Sequence, residues 1–364
     1  MEFYQVPWRL VPNKLVRYPG GREIDRFRGV EPALDNGRPE AWVGSDCIVC
    51  NTEEMGNPYE GRAEVDLPDG KRVYLYDMLQ AHPEEILGPK HMEISGKNLG
   101  VLVKLLDAQY QLGLQSHPTR EYAKKMFNSD YGKAESWIVI GMRDDVPEPP
   151  YMYIGFKEGM TREKFAEPYY RDDIRAMEEC CHKVQVRLGD VFFVGAGLPH
   201  AIGAGCFVVE VQEPSDITVG AERLCKYKPD VTPEEEAEYD ERLLGTYIYD
   251  GCTYQENLKR WLIEPTVIRE GDWGKEAVLI GANQTDYFSC TRLDVKGSAP
   301  LRTTGFVQIG IVVEGSGKLV YEGGEMELNR GDEIFLPYGF ENAQVVSPEG
   351  VGIMWSHPPG AKHQ

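Results

Sequence analysis

One pattern occurs twice in this chain: Gly189-Asp-Val-Phe-Phe-Val-Gly-Ala-Gly-Leu-Pro-His200 returns in outline as Gly331-Asp-Glu-Ile-Phe-Leu-Pro-Tyr-Gly-Phe-Glu-Asn342. Each copy has Gly-Asp at a turn, an apolar run, a second turn carrying Gly, and a polar residue three places after that Gly. Such a unit reads as one hairpin edge of an antiparallel double-sheet barrel, in which the residue leaving the second turn points into the mouth. A repeated hairpin edge therefore predicts two such barrels. Their chemistry differs, because the first copy ends in the potential metal ligand His200 and the second in Asn342. The strand expected from Phe306 to Val313 also has no QxH or HxH counterpart, so the second barrel is expected to hold no metal.

Short β-branched or aromatic runs support the mainly β reading: Trp137-Ile-Val-Ile, Val191-Phe-Phe-Val, Phe207-Val-Val-Glu-Val and Phe306-Val-Gln-Ile-Gly-Ile-Val-Val, each bounded by Gly, Pro or Asp. Helical signals are fewer. They fall at Gly100 to Ala108, from Arg162, from Asp172 to about Cys181, and from Thr232 to about Leu244, where Thr232-Pro-Glu-Glu is a capping box with Pro at the first helical position. A length of 364 residues asks for two or three packed units. The expected division is 1–228 as a metal-binding barrel with helical elaborations, 229–262 as a helical insert, and 263–364 as the second barrel.

A net charge of −20 repels nucleic acid and anionic membrane surfaces, and no apolar run approaches the ~20 residues that span a bilayer. The first residues, MEFYQVPWRLVPNK, lack the apolar stretch of a signal peptide, so a cytoplasmic location is expected. Eight scattered cysteines form no disulfide framework. Cys47 and Cys50 make a CxxC without a second pair to complete a zinc site, and are read as buried or incidental thiols.

The residues with chemistry gather elsewhere. Gln115 and His117 are two apart before Pro118, so in an extended chain they share a face while Leu112 and Leu114 take the other. Glu135 opens the next strand, with Lys133 on its side. Joined by His200, these supply two imidazoles, a carboxylate and an amide oxygen, a mixed set that suits a divalent ion of zinc type with an open position; manganese, iron or cobalt also fit. The histidines at 82, 91, 182, 357 and 363 have no such company, and His182 beside Cys180-Cys181 is read as structural.

These motifs resemble a known family. Type I mannose-6-phosphate isomerases, zinc enzymes of the cupin superfamily, carry Ser-x-Gln-x-His-Pro, Tyr-Gly-Lys-x-Glu and Gly-x-x-His-Ala-x-Gly-x-Gly segments, the last followed by a Glu-x-Gln-x-Ser-Asp run. The matching segments here are Gly113-Leu-Gln115-Ser-His117-Pro118, Tyr131-Gly-Lys133-Ala-Glu135, Gly197-Leu-Pro-His200-Ala-Ile-Gly203-Ala-Gly205 and Glu210-Val-Gln212-Glu-Pro-Ser215-Asp216. Lys104-Leu-Leu-Asp-Ala108 and Glu40-Ala-Trp42-Val-Gly44 are similar to two further family segments, so the likeness spans about residues 40–220.

The resemblance implies a fold of two cupin-like (jelly-roll) β-barrels with a small helical insert. It implies one zinc ion per chain on Gln115, His117, Glu135 and His200, with Lys104 and Lys133 in the substrate pocket. The implied activity is aldose–ketose isomerisation of mannose 6-phosphate to fructose 6-phosphate through an enediol. Lys133, beside the ligands, is the candidate catalytic lysine on chemical grounds, since burial next to a metal lowers a lysine's proton affinity. Two family positions differ: Gly113 stands for the serine and Gly220 for an arginine. Arg223, three residues on, is the candidate for the phosphate contact and the second catalytic residue, and Arg120 is a further candidate cation. An isomerase acting on another sugar or sugar phosphate, and a non-catalytic sugar- or metal-binding cupin, are the competing readings; the lysines beside the ligands speak against the latter.

Overall fold

The computed structural model describes residues 2–50, 57–67 and 69–361, so His363 lies outside the described residues. The chain forms two compact units: Met1–Asp107 with Val208–Pro214 and Glu264–Gln364, and Ala108–Phe207 with Ser215–Ile263.

The first unit is built on a 10-stranded sheet. Its path runs Thr266–Gly271, Gly274–Ile280, Ser289–Pro300, Gln344–His357, Gln308–Tyr321, Glu333–Leu336, Trp8–Leu10, Glu64–Asp66 and Arg72–Tyr74, with Gly324–Asn329 paired to Gln308–Tyr321. Leu293, Val312, Leu319, Ile334, Phe340 and Trp355 belong to the core it buries. The antiparallel strands Lys14–Leu15, Glu40–Val43 and Leu102–Asp107 belong to the same unit. The last of these corrects the helix expected over Gly100 to Ala108. All six residues of Leu102–Asp107 are buried, and an apolar run that is buried on both faces has no amphipathic period to separate strand from helix.

The second unit holds a 5-stranded antiparallel sheet in the order Cys181–Gln185, Tyr151–Phe156, His200–Ile202, Gln115–Ser116 and Val219–Gly220. It also holds the antiparallel pair Glu135–Met142 with Val191–Val194. One face of the five-stranded sheet is apolar. Leu114, Ala201, Val219 and Ala221 pack there with Phe165, Tyr169, Met177, Leu243 and Leu244 from the helices Arg162–Tyr170, Ile174–Glu179 and Pro233–Thr246. The third helix begins as its sequence predicts: Thr232 caps Glu235 N–H and the Glu235 side chain returns to Thr232 N–H. Because side chains alternate along a strand, the neighbours of these core residues, Gln115, His200 and Gly220, turn to the opposite face.

The architecture is mainly β with several antiparallel sheets, and among the described residues each hydrogen-bonded sheet is an open path that does not close on itself. The repeat also diverges at its end. His200 is fully buried at the start of a strand, whereas Asn342 is exposed at φ 56°, the left-handed conformation that Asn tolerates, and its strand resumes only at Gln344. Asn342 therefore does not point inward as the repeat predicts. No helix among the described residues is long and apolar enough to cross a membrane.

Candidate metal centre

Register brings the first two candidate ligands together: His200 stands directly opposite Gln115, so both project from the same face. Gly197, at φ 84°, makes the turn that returns the chain to His200, and its N–H donates to the His117 carbonyl at 2.7 Å. A β-carbon at Gly197 would meet Ile248 at 2.5 Å, so the turn tolerates no side chain. Beyond His117, Pro118 keeps the chain extended and Thr119 caps the helix Arg120–Phe127 by accepting from Tyr122 N–H. The Pro118 carbonyl accepts from Lys133 N–H at 3.1 Å, which sets the start of the Glu135 strand beside His117.

His117, Glu135 and His200 converge with their ligand atoms within 4.8 Å of one another, all three buried. The two Nε2 atoms are 3.1 Å apart. Glu135 Oε2 lies 3.2 Å from His117 Nε2 and Oε1 lies 3.4 Å from His200 Nε2. Each ring is oriented from behind: His117 Nδ1 donates to the Ile217 carbonyl at 2.9 Å and His200 Nδ1 to the Leu198 carbonyl at 2.8 Å. A carbonyl cannot donate, so both protons sit on Nδ1 and both Nε2 lone pairs face inward, the tautomer of metal-binding histidines. Trp137 meets His200 edge-on at 5.3 Å and walls the cluster.

Two imidazole lone pairs and a carboxylate buried face to face need a cation. Glu135 Oε2, buried, accepts no hydrogen bond of sound geometry. Lys133 Nζ lies 2.9 Å from both His117 Nε2 and Glu135 Oε2, a single charge at the edge of the set. Gln115 sits beside His200, its Nε2 3.4 Å from His200 Nε2. The donors fit a zinc-type ion in number, chemistry and protonation state.

Burial, followed by the Lys133 charge, pushes the His117 imidazole down to about 3, and burial also holds His200 below its ordinary value. For Glu135, burial alone would raise the carboxyl, yet the Lys133 charge and the imidazoles outweigh it and hold it well below the usual carboxylate range. Between about pH 6.5 and 3 the unfolded chain therefore binds protons that folded His117 refuses, and stability present above pH 6.5 is lost as pH falls. Depressed Glu135 acts in the same direction at the acid end. The metal-free protein should lose about 2 kcal/mol from His117 alone between pH 6.5 and 5. Denaturant melts at pH 7.5 and 5 with equal midpoints would contradict this.

Comparison with known proteins agrees with the geometry. The family model "Mannose-6-phosphate isomerase, cupin domain" matches residues 281–357. The chain is 29% identical over 370 residues to "Probable mannose-6-phosphate isomerase GmuF" of Bacillus subtilis (strain 168), covering 97% of this chain and 99% of the relative. It is 28% identical over 254 residues to mannose-6-phosphate isomerase ManA of the same organism, covering 68% of this chain and 72% of that one. The chain is thus similar to mannose-6-phosphate isomerases over nearly its whole length, and residues 281–357 match the cupin domain of that family. Among solved structures, the mannose 6-phosphate isomerase from Bacillus subtilis shares the fold with a TM-score of 0.73 at 20% identity, over 97% of this chain and 100% of that one. A zinc-bound mannose 6-phosphate isomerase shares it with a TM-score of 0.74 at 14% identity, over 96% and 99%.

The other residues that the sequence singles out are placed as follows. Lys104 lies on the strand Leu102–Asp107 of the first unit, buried, 3.7 Å from Glu210 Oε1 and 5.1 Å from the Trp42 ring centre. Arg223 belongs to the second unit, where its guanidinium lies 2.9 Å from Glu236 and 3.5 Å from Asp240, both on the helix Pro233–Thr246. Arg120 lies over the Tyr131 ring. His182 Nε2 meets the Cys252 carbonyl at 2.9 Å, in keeping with a structural role. Sequence reasoning missed the carbonyls of Ile217 and Leu198 that fix the tautomers; every residue carries a carbonyl, so no side-chain pattern marks them.

Proposed function

We propose that the protein is a zinc-dependent aldose–ketose isomerase interconverting mannose 6-phosphate and fructose 6-phosphate through an enediol. The observation that carries this is the pair of inward Nε2 lone pairs at His117 and His200 around Glu135, in a chain similar over nearly its whole length to a mannose-6-phosphate isomerase. Gln115, His117, Glu135 and His200 would hold one ion per chain. When bound, that ion supplies the positive charge that a developing enediol oxyanion requires. Lys133, already at the ligands, is the protein's own proton carrier beside the reacting carbons. Arg223 is the candidate contact for the phosphate, and Lys104 is a candidate substrate-binding residue.

In this reading the open sheets pack as two jelly-roll barrels. Residues 1–228 carry the metal, 229–262 are the helical insert, and 263–364 lack metal ligands and serve the structure. The location proposed is the cytoplasm. The test is turnover of a sugar-phosphate panel by protein stripped of metal and then reloaded, with elemental analysis. Activity on mannose 6-phosphate that returns with one zinc per chain supports the reading, and full activity in stripped protein contradicts it.

A second reading, an isomerase acting on another sugar or sugar phosphate, is favoured by Gly113 and Gly220 and by the carboxylates that already hold Arg223. Arg223→Ala separates the two. With phosphate contact, KM for mannose 6-phosphate rises about 10–150-fold with zinc retained, the worth of one charge-assisted contact at roughly 1.5–3 kcal/mol. A lower melting temperature with unchanged KM would assign Arg223 to tying down the helix Pro233–Thr246 alone.

A further inference from the structure

Glycines usually answer a backbone or a packing demand. Among the described residues every glycine but two has a positive φ or has another residue's atoms within 4 Å of where a β-carbon would stand. The two exceptions are Gly113 and Gly220, which have neither. A glycine at such a position loses more conformational entropy on folding than alanine would, with no structural return.

Both flank the same metal-site residue. Gly220 is the register partner of Gln115, and Gly113 precedes Gln115 by two in a ladder that continues through Leu112 N–H to Ile202 O and Ala221 N–H to Leu114 O. Their neighbours Leu114, Val219 and Ala221 turn into the apolar core, so the face that Gly220 and Gly113 leave bare is the face of Gln115 and His200. Diagonal positions on an antiparallel pair lie about 7–8 Å apart, the breadth of a pyranose ring with its hydroxyls.

We propose that Gly113 and Gly220 form a side-chain-free shelf beside Gln115 that receives an uncharged, ring-sized substituent of an aldose whose reducing end lies at the metal centre. The shelf offers peptide backbone, and the cation nearest to it in sequence, Arg223, is held by Glu236 and Asp240, which favours a neutral glycosyl group over a phosphate there. The proposal rests on the second reading, an isomerase acting on another sugar, and only for what happens at the reducing end.

The test compares mannose with a 4-O-linked mannobiose on metal-loaded protein, by turnover and by ligand-induced thermal shift, in wild type, Gly113→Ala, Gly220→Ala and Gly220→Val. Because backbone and space both admit a side chain, the alanine variants should melt about 1–2 °C higher with metal content kept. The ratio of kcat/KM for mannobiose to that for mannose should fall about 10–200-fold in Gly220→Val, and the mannobiose-induced shift should vanish with it. Wild type that isomerises mannose but neither binds nor turns over mannobiose overturns the shelf and leaves the isomerase standing. An unchanged ratio and an unchanged shift in the filled variants also overturn it. A mannobiose shift that filling abolishes, in a protein that isomerises no aldose, upholds the shelf and overturns the isomerase reading.

Discussion

His200→Ala is expected to lose the bound metal and at least about 1,000-fold in isomerase activity, the scale of removing several kcal/mol of charge stabilisation from a transition state. The side chain has two jobs that alanine cannot do. Its Nε2 completes the acceptor set with His117 Nε2 at 3.1 Å and Glu135 Oε1 at 3.4 Å, and its Nδ1–H holds the ring on the Leu198 carbonyl. Removing it leaves a buried gap between His117 and Trp137, and a carboxylate with one ring fewer to share a cation.

Metal binding at a preformed buried site is also folding energy, so the variant should melt at the temperature of chelator-treated wild type and should not respond to added zinc. His182→Ala provides the contrast. That ring is also buried, but it is held by the Cys252 carbonyl away from the ligand set, so its loss should cost stability without metal. Full zinc content and full activity in purified His200→Ala would overturn the ligand assignment.

The convergence of His117, Glu135 and His200 was readable in the sequence because each part obeys a local rule. Gln115 and His117 share a face through the two-residue period of an extended chain, and Lys133 and Glu135 do the same. His200 follows a turn at which Gly197 takes a φ of 84°, a conformation that favours glycine. Four of the strand runs and the capped helix after Thr232 are local in the same sense.

What was not readable depends on partners distant in sequence. The strand Leu102–Asp107 is stabilised by burial on both sides, which leaves an apolar run without a diagnostic period and makes it look helical. Asn342 matches His200 in the repeat, yet its φ of 56° puts it in an exposed turn, a choice set by the local turn geometry. Arg223, expected at a phosphate, meets Glu236 and Asp240 from a helix that begins ten residues later, and no pattern around Arg223 announces that pairing. The glycines are the reverse case. Gly113 and Gly220 are visible as departures in the sequence, but only the structure shows that neither backbone nor packing demands them.

Lys133→Met should separate metal binding from chemistry. Methionine keeps an unbranched apolar stem of similar reach and removes the ammonium that lies 2.9 Å from both His117 Nε2 and Glu135 Oε2. A monocation there competes with a dication for the same lone pairs, so its removal should leave zinc affinity equal or higher. Catalysis moves the opposite way. A proton must pass between two sugar carbons, and loss of a positioned proton carrier costs about 100–10,000-fold in rate. The expected result is therefore full zinc content, kcat reduced by that factor and KM changed much less. Zinc content that falls together with kcat would make Lys133 a support of the metal site. Unchanged kcat with full zinc would remove it from the chemistry and leave the proton transfer to another group.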